Sequence, residues 1–243
     1  MSAPLLEVAA NSVASALAAQ AGGAGRIELC TGLELGGLTP SHGQIALVRE
    51  RVSLPVYVLI RPRAGDFLYN DDEMETMRRD IEACASLGCD GVVVGVLDAD
   101  GHVDMPRCRE LVSAAGRMGV TFHRAFDMTC NLSRSLEDIV ALGVERVLTS
   151  GAARSAMEGV ASIRALVEQA QRRVIIMPGA GIRPDNIVEL ANVTGAHEFH
   201  ASAKRDQPSG MRYAQAVLPD MATGEIRSDA TEVLALTSAL RGL

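Results

Sequence analysis

His123, Arg124 and Asp127 close the apolar run Val120-Thr121-Phe122 with an imidazole, a guanidinium and a carboxylate. An imidazole near a carboxylate can act as an oriented acid–base pair. Similar endings recur in Arg26-Ile27-Glu28-Leu29-Cys30, Val58-Leu59-Ile60-Arg61-Pro62-Arg63 and Glu198-Phe199-His200-Ala201-Ser202. Glu28, His123 and Asp127 are therefore the candidate catalytic groups. Arg61 and Arg63 are candidate substrate ligands, because a guanidinium meets a carboxylate or phosphate with paired hydrogen bonds. Glu7, Asn11, His200 and Ser202 are the other polar strand residues placed to touch a substrate.

These groups need a frame. Strand-like runs fall near residues 5–10, 26–30, 56–61, 91–97, 120–126, 146–150, 173–177 and 198–202, with helical periodicity in most of the gaps. Ser12 can cap a helix that stops at Gly22-Gly23, and Asp71 or Asp72 one that ends at Gly88. Pro106 suits the first turn of a helix ending near Gly116. Ser133 precedes a helix closed by Gly143, and Pro184 and Asp185 open one closed by Gly195. This strand–helix beat predicts a parallel sheet, and eight units predict its closure into an α/β (β/α)8 barrel. No linker interrupts residues 1–243, so the expectation is one domain. Residues 205–228, with Pro208, Gly210, Pro219 and Gly224, read as an irregular C-terminal strap before a final helix capped at Ser228-Asp229.

Strand alternation then orients the side chains. Val120, Phe122 and Phe126 should face the helices, leaving Thr121, His123, Ala125 and Asp127 toward the barrel axis. Ile27 and Leu29 turn Glu28 and Cys30 inward. Arg61 and Arg63 share one face, and Glu198, His200 and Ser202 another. Charges facing a barrel axis are costly unless paired with each other, a ligand or a metal.

Two loops add to the mouth. Met177-Pro178-Gly179-Ala180-Gly181 follows the seventh strand and Ser202-Ala203-Lys204 the eighth, the pair of loops that binds phosphate in many barrels. Gly179, Gly181 and Lys204 thus join the candidate substrate ligands, with Ser150 after the sixth strand. Lys204 is the only lysine and lies beyond a strand end, which disfavours Schiff-base chemistry.

Composition narrows the partners. A net charge of −7 without a basic stripe disfavours nucleic acid and anionic membranes. No apolar run is long enough to span a bilayer. The N-terminal residues lack the pattern of a signal peptide, and the five cysteines are scattered without a CxxC pair. A cytoplasmic location with reduced thiols is the expectation. Alanine-rich helix surfaces such as 14–21 suit packing against a partner subunit or lying close on the barrel.

Several motifs together resemble the CutC family: Leu6-Glu7-Val8, Arg26-Ile27-Glu28-Leu29-Cys30, Gly36-Gly37-Leu38-Thr39-Pro40-Ser41, Ile60-Arg61-Pro62-Arg63, Gly65-Asp66-Phe67, Thr121-Phe122-His123-Arg124-Ala125-Phe126-Asp127, Leu148-Thr149-Ser150-Gly151 and Glu198-Phe199-His200-Ala201-Ser202. The resemblance runs in order from about residue 5 to about residue 204. It implies a TIM-barrel, cytoplasmic, homo-oligomeric (dimer or tetramer) protein of copper homeostasis that binds copper ion. The family-motif cysteine matches Cys30, and no second cysteine stands on the third strand, in Tyr57-Val58-Leu59-Ile60. Cu(I) takes two or three soft ligands, so Cys30 would need His123 and His200 beside it. Three readings stay open: a Cu(I) site at the mouth, an isomerase, lyase or aldolase-like enzyme acting there on a small anionic or phosphorylated metabolite, or a non-catalytic scaffold on the barrel fold.

Overall fold

In the computed structural model, which describes residues 4–213 and 224–243, short runs rich in Val, Ile and Leu form eight parallel strands. They are β1 (Leu5–Ala10), β2 (Arg26–Leu29), β3 (Val56–Leu59), β4 (Gly91–Val94), β5 (Gly119–Phe122), β6 (Arg146–Thr149), β7 (Ile175–Pro178) and β8 (Glu198–Ala201). Their order is β7-β6-β5-β4-β3-β2-β1-β8, and β7 and β8 lie side by side where the ring closes. Helices α1 (Val13–Ala21), α2 (His42–Arg51), α3 (Asp71–Ser86), α4 (Met105–Ala115), α5 (Leu132–Leu142), α6 (Val160–Ala170) and α7 (Ile187–Thr194) connect successive strands. The result is the expected TIM barrel in one domain.

Alternation sorts the strand residues as read from the sequence. Leu6, Val8, Ile27, Leu29, Val58, Phe122 and Phe199 join the apolar layer under the helices. Burying a side chain of that size from water contributes roughly 2 kcal/mol. Glu7, Arg26 and Glu28 are buried on the strands' other face. Register stacks them: Glu7 pairs with Arg26 and His200, and Glu28 with Tyr57.

Several local expectations change. The fifth strand ends at Phe122, and Arg124–Met128 form a 3-10 turn. Ala125 therefore packs in the apolar layer, and Asp127 is placed by the turn rather than by alternation. Helix α3 is capped by Asn70, not Asp71 or Asp72, in a reciprocal box with Glu73. Asn131, not Ser133, caps α5. Ser12, Gly143 and Gly195 stand where expected.

The two ends of the strap are regular strands rather than irregular chain. β9 (Lys204–Pro208) and β10 (Gly224–Ser228) pair as an antiparallel hairpin, followed by α8 (Ala230–Arg241) capped at Asp229. The middle of the strap, residues 214–223, lies outside the described residues.

Candidate functional site

The barrel interior holds two polar layers. The one nearer the strands' amino ends is closed by its own pairings. Arg26 Nε donates to Glu7, and Arg26 Nη2 to Glu198 Oε2 at 2.5 Å. Arg146 reaches Glu198 Oε2 at 3.1 Å, Glu145 Oε2 at 2.9 Å and Thr121 Oγ1 at 3.2 Å. Tyr57 donates to Glu145 at 2.7 Å, and its ring lies under both guanidiniums, 5.3 Å from Arg26 and 4.9 Å from Arg146. Each buried charge here has a partner, as burial requires.

The next layer is not closed. Glu28 is 6% exposed, and among the described residues the only cationic nitrogen within 4.0 Å is His200 Nε2, at 3.6 Å. Burial pushes the Glu28 carboxyl up, against the pull of His200 and with the repulsion of Glu7, to about 7. Glu7 behaves oppositely. Burial would raise it, but Arg26 and the His200 hydrogen bond hold it down at about 2. His200 bridges the two, with Nδ1 on Glu7 Oε1 at 2.8 Å. Burial alone would lower its pKa, yet the charge of Glu28 and the bond to Glu7 raise it. Glu7 thus fixes the imidazole, and its other nitrogen stands 3.6 Å from Glu28, beyond hydrogen-bond distance.

His123, the residue after β5, is 5% exposed. Its Nδ1 accepts the Ala125 N–H at 3.1 Å, so the proton of the neutral ring sits on Nε2. That Nε2 is buried and, among the described residues, has no hydrogen-bond partner. Burial, then the charge of Arg61, pulls the His123 pKa down to about 3. Gly95 makes room for the ring: a Cβ there would meet His123 Cε1 and Nδ1 at 2.5 Å.

Above these groups opens a cavity of about 850 Å³, lined by Glu28, Cys30, Arg61, His123, Gly181 and His200 among others. It is large enough for a small metabolite. In its wall Ala180 and Gly181 are consecutive left-handed residues, with φ of 74° and 73°. Among the described residues, the N–H groups of Ala180, Gly181, Ile182, Ser202 and Ala203 find no protein acceptor. All five residues line the cavity, as does Lys204.

Other sequence candidates take different places. Arg61 reaches the cavity wall, but its Nη atoms hold the carbonyls of Leu35, Gly37 and Gly65, tying two loops together. Arg63 lies outside the cavity, paired with Glu73 and Asp66, because β3 ends at Leu59 and alternation no longer applies. The Asp127 carboxylate lines the cavity edge and is saturated. It accepts from Thr149 Oγ1, the N–H groups of Ser150 and Ala152, Ser150 Oγ and Arg124 Nε. It clamps the loop after β6, and Ser150 is a partner in that clamp. Asn11 holds the hairpin through Ile226 O. Gly179 packs against Leu148 and His200 beneath the wall.

The metal candidates Cys30, His123 and His200 do not gather around one point. Among the described residues, the metal-type group with ligand atoms within 4.8 Å of one another is Glu7, Glu28 and His200. Both Glu7 oxygens in that group are already engaged, one by Arg26 and one by His200. The sequence reading passed over Arg26, Arg146 and Gly95. Parity from Glu28 would have turned Arg26 inward; Arg146 and Gly95 sit in runs too uniformly apolar for parity to decide.

Comparison with known proteins agrees with the motifs. The CutC family model matches residues 4–205. A family protein CutC of Xanthomonas axonopodis pv. citri is 56% identical over 236 residues, 97% of this chain and 98% of its own length. A mouse copper homeostasis protein cutC homolog is 49% identical over 209 residues, 86% of this chain and 77% of its own. Among solved structures, one from Streptococcus agalactiae described as a copper homeostasis protein CutC superposes with a TM-score of 0.78. It is 33% identical and covers 82% of this chain and 98% of its own.

Proposed function

The chain belongs to the CutC family, named for copper homeostasis, and on that premise we propose that its barrel mouth is a catalytic pocket for a small anionic metabolite, with Glu28 as the group that takes and returns a proton. One observation carries this reading. A carboxyl is buried at the floor of a cavity, left without a guanidinium of its own, and poised at about 7. General acid–base catalysis works best with a group titrating near the working pH. His200, steadied by Glu7, supplies the neighbouring proton site. The loops after β7 and β8 receive the anion on their N–H groups and Lys204.

Resident Cu(I) does not suit these residues. Cys30 and Met128 are the soft donors lining the cavity; burial, then Glu28 and Glu34, push the Cys30 thiol well above the ordinary value. A metal-binding thiolate needs the opposite shift. Cys84, Cys89 and Cys108 are buried in the apolar layer.

The test is a panel of phosphorylated metabolites screened by thermal shift, then by product formation, with the native chain and Glu28→Gln. Binding by both and turnover by the native chain alone is the expected result. Turnover that survives Glu28→Gln, or a panel with no binder, overturns the reading.

A further inference from the structure

Going round the ring, three corners of the mouth carry different chemistry. Glu28 stands on β2, His123 just beyond β5, and the acceptor-free N–H groups in the loops after β7 and β8. Residues from all three corners line one cavity, His123 with its Nε2 closed off from solvent. The second corner is unexplained by an acid–base pocket alone. His123 Nε2–H is a buried donor with nothing to donate to, and a buried donor left unmade is costly. Its direction is fixed: Nδ1 is engaged by Ala125 N–H, the ring lies against Phe67 with centroids 5.0 Å apart, and Gly95 is bare to admit it. A neutral, fixed N–H donor suits an oxygen that is uncharged in the ground state and gains charge in the transition state.

We propose that the ligand is a small phosphorylated carbonyl compound. Its carbonyl oxygen is held by His123 Nε2–H and its phosphate by the N–H groups of 180–182 and 202–203, and the reaction is proton transfer at the carbon beside the carbonyl. This rests on the assignment of Glu28 above. Glu28 carboxylate takes the proton from that carbon. The C–H electron pair becomes a C=C bond, and the carbonyl π pair moves to oxygen, where His123 stabilises it. The protonated Glu28 returns its proton either to the same carbon, which gives exchange alone, or to the former carbonyl carbon. In the second case the O–H pair of the neighbouring hydroxyl closes the new carbonyl, and that proton passes by way of His123 Nε2, which gives its own to the old carbonyl oxygen and takes up the other. No oxidant or reductant is needed. Aldose–ketose isomerisation is the reaction of this class.

The full chain is incubated in D2O with aldose and ketose monophosphates of three to six carbons, and loss of the C–H signal beside the carbonyl is followed by proton NMR. Inorganic phosphate serves as a separate binding probe. At least one sugar phosphate that binds should exchange that hydrogen. His123→Leu should slow exchange roughly 100- to 1,000-fold, the size of effect expected for losing one donor to a developing oxyanion, and His123→Gln should recover part of it. Gly95→Ala, which displaces the ring without removing it, should also slow exchange and keeps the test open if His123→Leu does not fold. If inorganic phosphate binds but no bound sugar phosphate exchanges, or exchange ignores both His123→Leu and Gly95→Ala, the carbonyl assignment falls and the anion pocket stands. If neither phosphate nor any sugar phosphate binds, the pocket reading falls with it.

Discussion

Two layers of the same barrel interior treat charge in opposite ways. In the lower layer, Arg26 and Arg146 are spanned by Glu7, Glu198 and Glu145 over one tyrosine ring, and every charge is answered within the protein. In the layer above, among the described residues, Glu28 has one basic neighbour at 3.6 Å and His123 Nε2 has no hydrogen-bond partner. Desolvation acts on both. The lower layer cancels it with Coulomb attraction, so Glu7 sits at about 2, and the upper leaves it uncancelled, so Glu28 sits at about 7. The contrast separates charges that hold the barrel from charges kept for a ligand.

The sharpest way to break this contrast is at Arg26. Arg26→Met leaves Glu7 and Glu198 facing each other in the interior and should cost about 3–5 kcal/mol in denaturant unfolding. A cost under about 1 kcal/mol would mean the lower layer is no more structural than the upper. Glu28→Gln should do the reverse, abolishing turnover by 100-fold or more while stabilising the fold at high pH. The sign follows from linkage. With a folded carboxyl at about 7 and an ordinary value of 4.5, the folded chain holds more protons between those limits. Native stability therefore falls as pH rises through that window. Glu28→Gln lacks this loss, so its melting temperature should exceed the native one at pH 8 by roughly 5 °C and approach it near pH 4.

Asp127 sharpens the comparison from the rim. It is a carboxylate at the cavity, yet saturated by the loop it clamps. Asp127→Asn should cost about 1–2 kcal/mol and leave the midpoint of the pH–rate profile unchanged; a moved midpoint would make it a proton carrier. The smallest effect belongs to Arg63→Ala, since Arg63 pairs outside the cavity with exposed Asp66 and half-buried Glu73. Inorganic phosphate binding should be unaltered in a calorimetric titration, and a weakened affinity would return Arg63 to the pocket.

Much of this was legible in the sequence because period-2 alternation is rigid within a strand. Ile27 and Leu29 fix the side of Glu28, and Val120 and Phe122 that of Thr121 and His123. Legibility stopped where strands stopped. Asp127 and Arg63 lie past the ends of β5 and β3, where a 3-10 turn and a loop redirect the chain. Pairing was not legible either. Arg26 and Glu198 are 172 residues apart, and only the closing of the ring brings them together. The glycine joints marked helix ends well, since Gly143 and Gly195 both take left-handed conformations there. They could not reveal Gly95, whose role is to leave space.

The most direct test is a carbon-13 NMR titration of the native chain labelled at the glutamate carboxyls, with Glu28→Gln to identify the resonance. Glu28 should titrate with a midpoint near 7, well apart from Glu7. A midpoint at or below the ordinary 4.5 would show that the upper layer is neutralised like the lower, and the distinction between them would be gone.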